Sequence, residues 1–181
     1  MKTLLYILTI FISLNIFSQT KFITKNGVVN FEASVPSFEE VKATNNAVTA
    51  IINSENGEFA ALVLVKGFRF KNALMEEHFN ENYAESDKYP KATFKGKIKE
   101  FNLKNLETTS KFHINGELYF HGQTKQLNDV IIKISMEKDI ISMSGNFEVL
   151  ASDFDIKIPK IVSSKIAENI EIMFDFQLNK K

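Results

Sequence analysis

Cysteine is absent from this 181-residue chain, so no disulfide framework holds it, and packing and hydrogen bonds must do so alone. Basic and acidic residues balance at 22 each; without a basic surplus the chain is poorly suited to neutralising phosphates, which argues against a nucleic-acid partner. The seven glycines are scattered, and neither a phosphate-cradling loop, nor a dinucleotide fingerprint, nor a nucleophile elbow is present. Beyond Phe17 no stretch is long and apolar enough to cross a membrane as a helix. Tryptophan is missing too, while phenylalanine reaches 17 residues; an interior so rich in phenylalanine needs either tight packing or a guest.

The single long apolar run lies at the start, from Leu4 to Phe17, with Lys2 in front of it. It is short for a bilayer span and reads as a secretory signal peptide over residues 1–18, cut near Ser18 and Gln19. No cysteine follows to accept a lipid anchor. The expectation is an exported protein, periplasmic or else extracellular, whose mature residues 19–181 form one domain with a substantial core.

Period-two alternation dominates the mature chain, the mark of strands with one apolar face. Ala92, Phe94, Gly96 and Ile98 share a phase; so do Phe112, Ile114, Gly116, Leu118 and Phe120, and then Val130, Ile132, Ile134 and Met136. The pattern returns in Ile141, Met143, Gly145, Phe147 and Val149, and again in Ile170, Ile172, Phe174, Phe176 and Leu178. Val29 to Val35, Val48 to Ile52 and Phe59 to Val65 add the N-terminal strands. Turn signals stand at Lys25-Asn26-Gly27, Glu55-Asn56-Gly57 and Glu137-Lys138-Asp139. About eight such strands imply a sandwich or a barrel. Inward glycines at 96, 116 and 145 favour a barrel, because they let a sheet coil and remove side chains from its interior. Whether phenylalanine fills that space or a ligand does is open at this point.

One stretch breaks the rhythm. After Asn72, a suitable N-cap, Met75, Phe79 and Tyr83 recur at four-residue spacing with Glu76, Glu77, Asn80 and Glu81 between them, which predicts a short amphipathic helix. Pro90 then turns the chain into the strand beginning near Ala92. A second helical piece is expected over Ser163 to Asn169.

Candidate chemistry is sparse. His78 with Glu77 and Glu81 lacks the second histidine of a helical zinc motif, so no metal is assigned. His113 and His121 lie about 26 Å apart along an extended strand and read as surface or rim residues. Asp153 and Asp155 form a carboxylate pair too common to specify acid–base catalysis. Arg69, the lone arginine, most simply makes an internal salt bridge. No catalytic residue and no cofactor is assigned.

Three segments together resemble the YceI-like family of exported lipid-binding proteins: "KGFRFKNALMEEHFNENYAESDKYPKATFKGKI" (66–98), "INGELYFHGQTKQLNDVIIKI" (114–134) and "FEVLASDFDIKIP" (147–159). Leu74, Phe79, Tyr89, Pro90, Phe94, Gly122 and Thr124 match motif positions, with His121 beside them. Where many members carry glycine after the Asp-Phe pair, this chain has Asp155. The resemblance implies an all-β, antiparallel, lipocalin-like barrel of about eight strands with one or two short helices, holding a polyisoprenoid or another long-chain lipid in its lumen.

A polyprenyl tail offers no group for a directional bond, so its affinity must come from apolar burial at roughly 25 cal/mol per Å². The expected lumen lining is Phe94, Phe112, Ile114, Leu118, Phe120, Ile132, Ile134, Met143, Phe147, Phe174 and Phe176, some of which serve equally as plain core. Met75 and Phe79 are expected to form a lid. The rival readings are a ligand-free structural or interaction domain, an outer-membrane barrel, whose strands also alternate, and an enzyme using the rim histidines. Oligomeric state is open, a homodimer among the alternatives.

Overall fold

A computed structural model describes residues 20–107 and 110–181; the expected signal peptide lies outside them. Nine strands form one antiparallel sheet: β1 (Lys21–Ser34), β2 (Lys42–Asn53), β3 (Glu58–Leu64), β4 (Arg69–Phe70), β5 (Lys91–Ile98), β6 (Ser110–Phe120), β7 (Gln123–Glu137), β8 (Ile140–Leu150) and β9 (Ile166–Lys180). Their order is β1-β9-β8-β7-β6-β5-β3-β2-β4, and β1 also pairs with β2. That pairing closes eight strands into a barrel and leaves β4 as a short addition to β2, so the ring has no open edge. Helix α1 (Ala73–His78) continues through a widened π turn over Phe79–Tyr83.

The alternating apolar residues face inward. Ile132 and Ile134 are buried while Ile131 and Lys133 between and beside them are exposed, and Ile114 is buried between exposed His113 and the outward Lys111 and Glu117. Polar outside and apolar inside is the reverse of a wall that faces lipid. No helix of the described residues is long and apolar enough to cross a membrane.

One end of the barrel is shut. Phe22, Ile52, Ile98, Ile134, Ile141 and Leu178 meet there with almost no exposed surface. The segment after β5 folds across this base: Leu106 is fully buried, and its carbonyl accepts from Met136 N at 2.6 Å.

The inward glycines do not leave voids. Gly96 and Gly116 face each other across β5 and β6, and the ring of Phe94 lies over both; a Cβ on Gly116 would come 2.5 Å from Phe94 Cζ. Phe174 covers Gly145 in the same way, at 2.7 Å from such a Cβ. At these positions phenylalanine takes the space that glycine releases.

Two local expectations are corrected. Lys25-Asn26-Gly27 is not a turn; β1 runs straight through it with a shift in its register against β2. Gly27 is needed because Phe176 packs against it, 2.5 Å from where a Cβ would stand. The helix expected over Ser163 to Asn169 is absent: turns occupy 160–165 and β9 begins at Ile166, where pairing of Ile166 with Ser34 and of Asn169 with Leu150 overrides local propensity.

Candidate functional site: an apolar cavity at the open end

At the other end the strands diverge around a cavity of about 540 Å³, within the range of small-molecule sites. Four segments build its rim: the β1–β2 loop, α1 with its π turn, the β6–β7 end of the barrel, and the long connection from β8 to β9. Among the described residues that line it, only Glu39, His78, Tyr83 and Lys165 carry polar groups on their side chains. A smaller apolar pocket of about 80 Å³ lies deeper. Val29, Val63, Ala92, Leu118 and Ile172 line both, so these five side chains form a neck between them.

The expected lining residues divide accordingly. Phe120 faces the outer cavity, Leu118 stands in the neck, and Phe94, Ile114, Met143, Phe147, Phe174 and Phe176 surround the inner pocket. Phe112, Ile132 and Ile134 line neither: Ile132 and Ile134 are wholly buried in the core, and Phe112 packs against that core. The sequence reading omitted Val29, Phe31, Val63, Phe68 and Phe70 from the N-terminal half, and Ile156, Ile158 and Val162 from the β8–β9 connection. Alternation in "IKI" was the available signal for the last group.

Met75 and Phe79 both face the outer cavity from the helix side. Phe79 stacks among Phe31, Phe68 and Phe70, with ring centroids 5.1, 5.9 and 5.3 Å away. The helix is held by its N-cap and by Glu76 in its middle. Asn72 Oδ1 accepts from Leu74 N at 2.9 Å, a cap that satisfies a free helix donor. Arg69 reaches across to Glu76 at 3.0 Å while also donating to the carbonyls of Lys66 and Phe68, and the second Glu76 oxygen accepts from Phe70 N. The lone arginine is thus an internal strap from β4 to α1.

His121 and Gly122 form the two-residue turn between β6 and β7, with φ of 47° and 80°. Two positive values are what a tight hairpin of the strands' own twist requires. His121 is drawn inward: Nδ1 lies 2.8 Å from the Phe154 carbonyl, Nε2 lies 2.8 Å from Glu85 Oε2, and the ring meets Tyr89 edge-on at 4.5 Å. It therefore joins three rim segments. Asp155 adopts the left-handed conformation, φ 56°, which explains how a glycine would serve at the same place. Its carboxylate accepts from Gln123 at 2.5 Å, and Asp153 pairs with Lys125 at 2.6 Å. Burial alone would raise the Asp153 pKa, but hydrogen bonds from Lys125 and from Leu150 N, with the lysine charge, hold it below the usual carboxylate value.

His113 lies far from this rim, on the outer wall beside Asp129 and Lys99. His78 lines the cavity, and among the described residues no group of three His, Cys, Asp or Glu side chains is placed to hold a metal. The geometry offers enclosure by apolar contact and a few polar groups at the opening.

An eight-stranded barrel with one sealed end and an apolar cavity at the other defines a lipocalin-like container. The YceI-like domain matches residues 21–178, and the chain belongs to that family. Its structure resembles a polyisoprenoid-binding domain from Saccharophagus degradans (TM-score 0.75, 12% identity, covering 89% of this chain and 98% of that one). It also resembles BcnA of Burkholderia cenocepacia (TM-score 0.69, 14% identity, covering 84% and 95%) and the YceI protein of Campylobacter jejuni (TM-score 0.65, 17% identity, covering 81% and 89%). No curated protein matches the chain.

Proposed function

We propose that this protein is an exported carrier or store for a long-chain lipid of isoprenoid type, held tail-first in the cavity. The observation that carries the reading is the apolar cavity of about 540 Å³, open at one end and leading through a neck to a further apolar pocket. Branched methyl groups along a prenyl chain suit walls of Phe, Ile and Val, and burial of apolar surface supplies the affinity without directional contacts. Glu39, His78, Tyr83 and Lys165 would meet the polar head at the opening. The binding function described for the Saccharophagus degradans domain supports the ligand class. The apolar run of residues 4–17 supports export.

The test is native mass spectrometry of the protein purified from the exported fraction, with organic extraction of what it carries. A bound species with isoprenoid mass spacing is the expected result. An empty protein that also fails to take up added polyprenyl quinone would refute the reading and favour a ligand-free interaction domain.

A further inference from the structure

We propose that the rim segment 156–166 docks the cavity mouth on an anionic lipid bilayer, so that lipid passes between membrane and cavity without crossing water. The inference rests on the lipid-binding reading for its purpose but on separate residues for its evidence. In "IKIPKIVSSKI" the side chains divide by direction. Ile156, Ile158, Val162 and Ile166 line the cavity, while Lys157, Lys160 and Ile161 are exposed. Lys160 and Ile161 occupy the tip of a turn closed by Val162 N donating to the Pro159 carbonyl at 3.0 Å. Ile161 is 87% exposed, the highest value among the exposed large apolar side chains of the described residues.

Ile161 follows Lys160, with Lys157 and Lys165 four residues to either side, a pairing of exposed apolar and cationic side chains that fits a headgroup region, where the apolar group inserts and the cations meet phosphates. The neighbouring loop extends the surface. Ser34 at the end of β1 pairs with Ile166, which sets the β1–β2 loop beside the segment, and its Phe38 is 47% exposed. Leu150, exposed at 42%, ends β8 on the same rim. The acidic groups of the rim lie outside segment 156–166, Glu39 among them at the cavity opening. Glu39 and Glu40 follow Phe38, Asp153 and Asp155 are occupied by Lys125 and Gln123, and Glu168 accepts from Ser152 N. From residue 156 to 166 there are three lysines and no acid, so the segment complements a negative surface rather than a neutral one.

The experiment is flotation of the exported protein with vesicles of phosphatidylcholine alone or mixed with phosphatidylglycerol, at low and high salt. Binding is expected to the anionic vesicles and to weaken as salt rises. Lys157→Glu with Lys160→Glu should reduce it by on the order of 100-fold, and Ile161→Ser by roughly 5-fold. Each variant should still take up geranylgeraniol from detergent as wild type does, which separates docking from loading and confirms folding. Loading without vesicle binding would overturn the docking proposal and direct attention to a protein acceptor; vesicle binding lost only in the variants, without loading in any form, would uphold docking and refute the lipid-container reading. Equal binding of wild type and variants would also overturn it.

Discussion

Ala92→Phe should close the neck and shorten the lipid that the protein can hold. Ala92 points inward on β5 opposite Val63 and touches both cavities, so a benzyl group there enters vacant space. The cost in folding is expected to be at most about 1 kcal/mol, at the low end for added bulk because the site is not close-packed. The inner pocket of about 80 Å³ accepts on the order of three methylene-sized groups, each worth ~0.8 kcal/mol when buried. Losing them removes roughly 2–3 kcal/mol, or about 30- to 150-fold in Kd. The effect should depend on chain length. In a displacement titration with prenols of increasing length, those short enough to stay in the outer cavity should bind as before, and longer ones should lose affinity. A uniform loss across the series, or none for the longest chain, would refute the assignment of the neck.

Phe79→Ala should weaken lipid retention more than folding, accelerating release by at least about 100-fold, or ~2.7 kcal/mol, against a stability loss of about 1–2 kcal/mol, less than for a fully enclosed phenylalanine; comparing ligand off-rate with urea midpoint checks this, and losses of equal size in both would refute the lid assignment. Gly122→Ala should destabilise by roughly 1–3 kcal/mol, since φ is 80° and the new Cβ would stand 2.9 Å from the Tyr89 ring; a thermal melt indistinguishable from wild type would contradict the turn geometry. Because the Asp153 pKa is lower in the folded protein, its ion pair stabilises the fold above the unfolded-state value near 3.9 and the contribution fades as pH falls below it. Asp153→Asn should therefore lower the melting temperature at pH 6 and leave it closer to wild type near pH 3, whereas a constant difference across that range would exclude the linkage.

The barrel was legible because its strands alternate on one face, and because the ordered segments around Pro90 and Gly122 resemble one family. What was not legible is depth. Ile132 and Phe174 stand on the same phase and have similar chemistry, yet one is sealed in the core and the other borders a pocket. Alternation specifies which face a residue takes and says nothing of its height along the axis, which depends on strand stagger around the whole ring. Gly27 was misread as a turn for a related reason: the reason for glycine there is Phe176, a residue distant in sequence. That the alternation left filled and hollow interiors equally open has a structural origin too. Phe94 and Phe174 fill the glycine-lined wall, while the hollow lies toward the rim, lined partly by loops without strand periodicity.

The buried Leu106 beneath the strands makes the molecule a cup and not a conduit. Whatever enters must leave by the same opening, with its last-buried end emerging first. A chain cannot thread through, and cargo cannot be pushed out from behind. Under the proposed carrier role, delivery would require a receiving surface that competes for the exposed end, and the acceptor rather than the container would decide the direction of traffic.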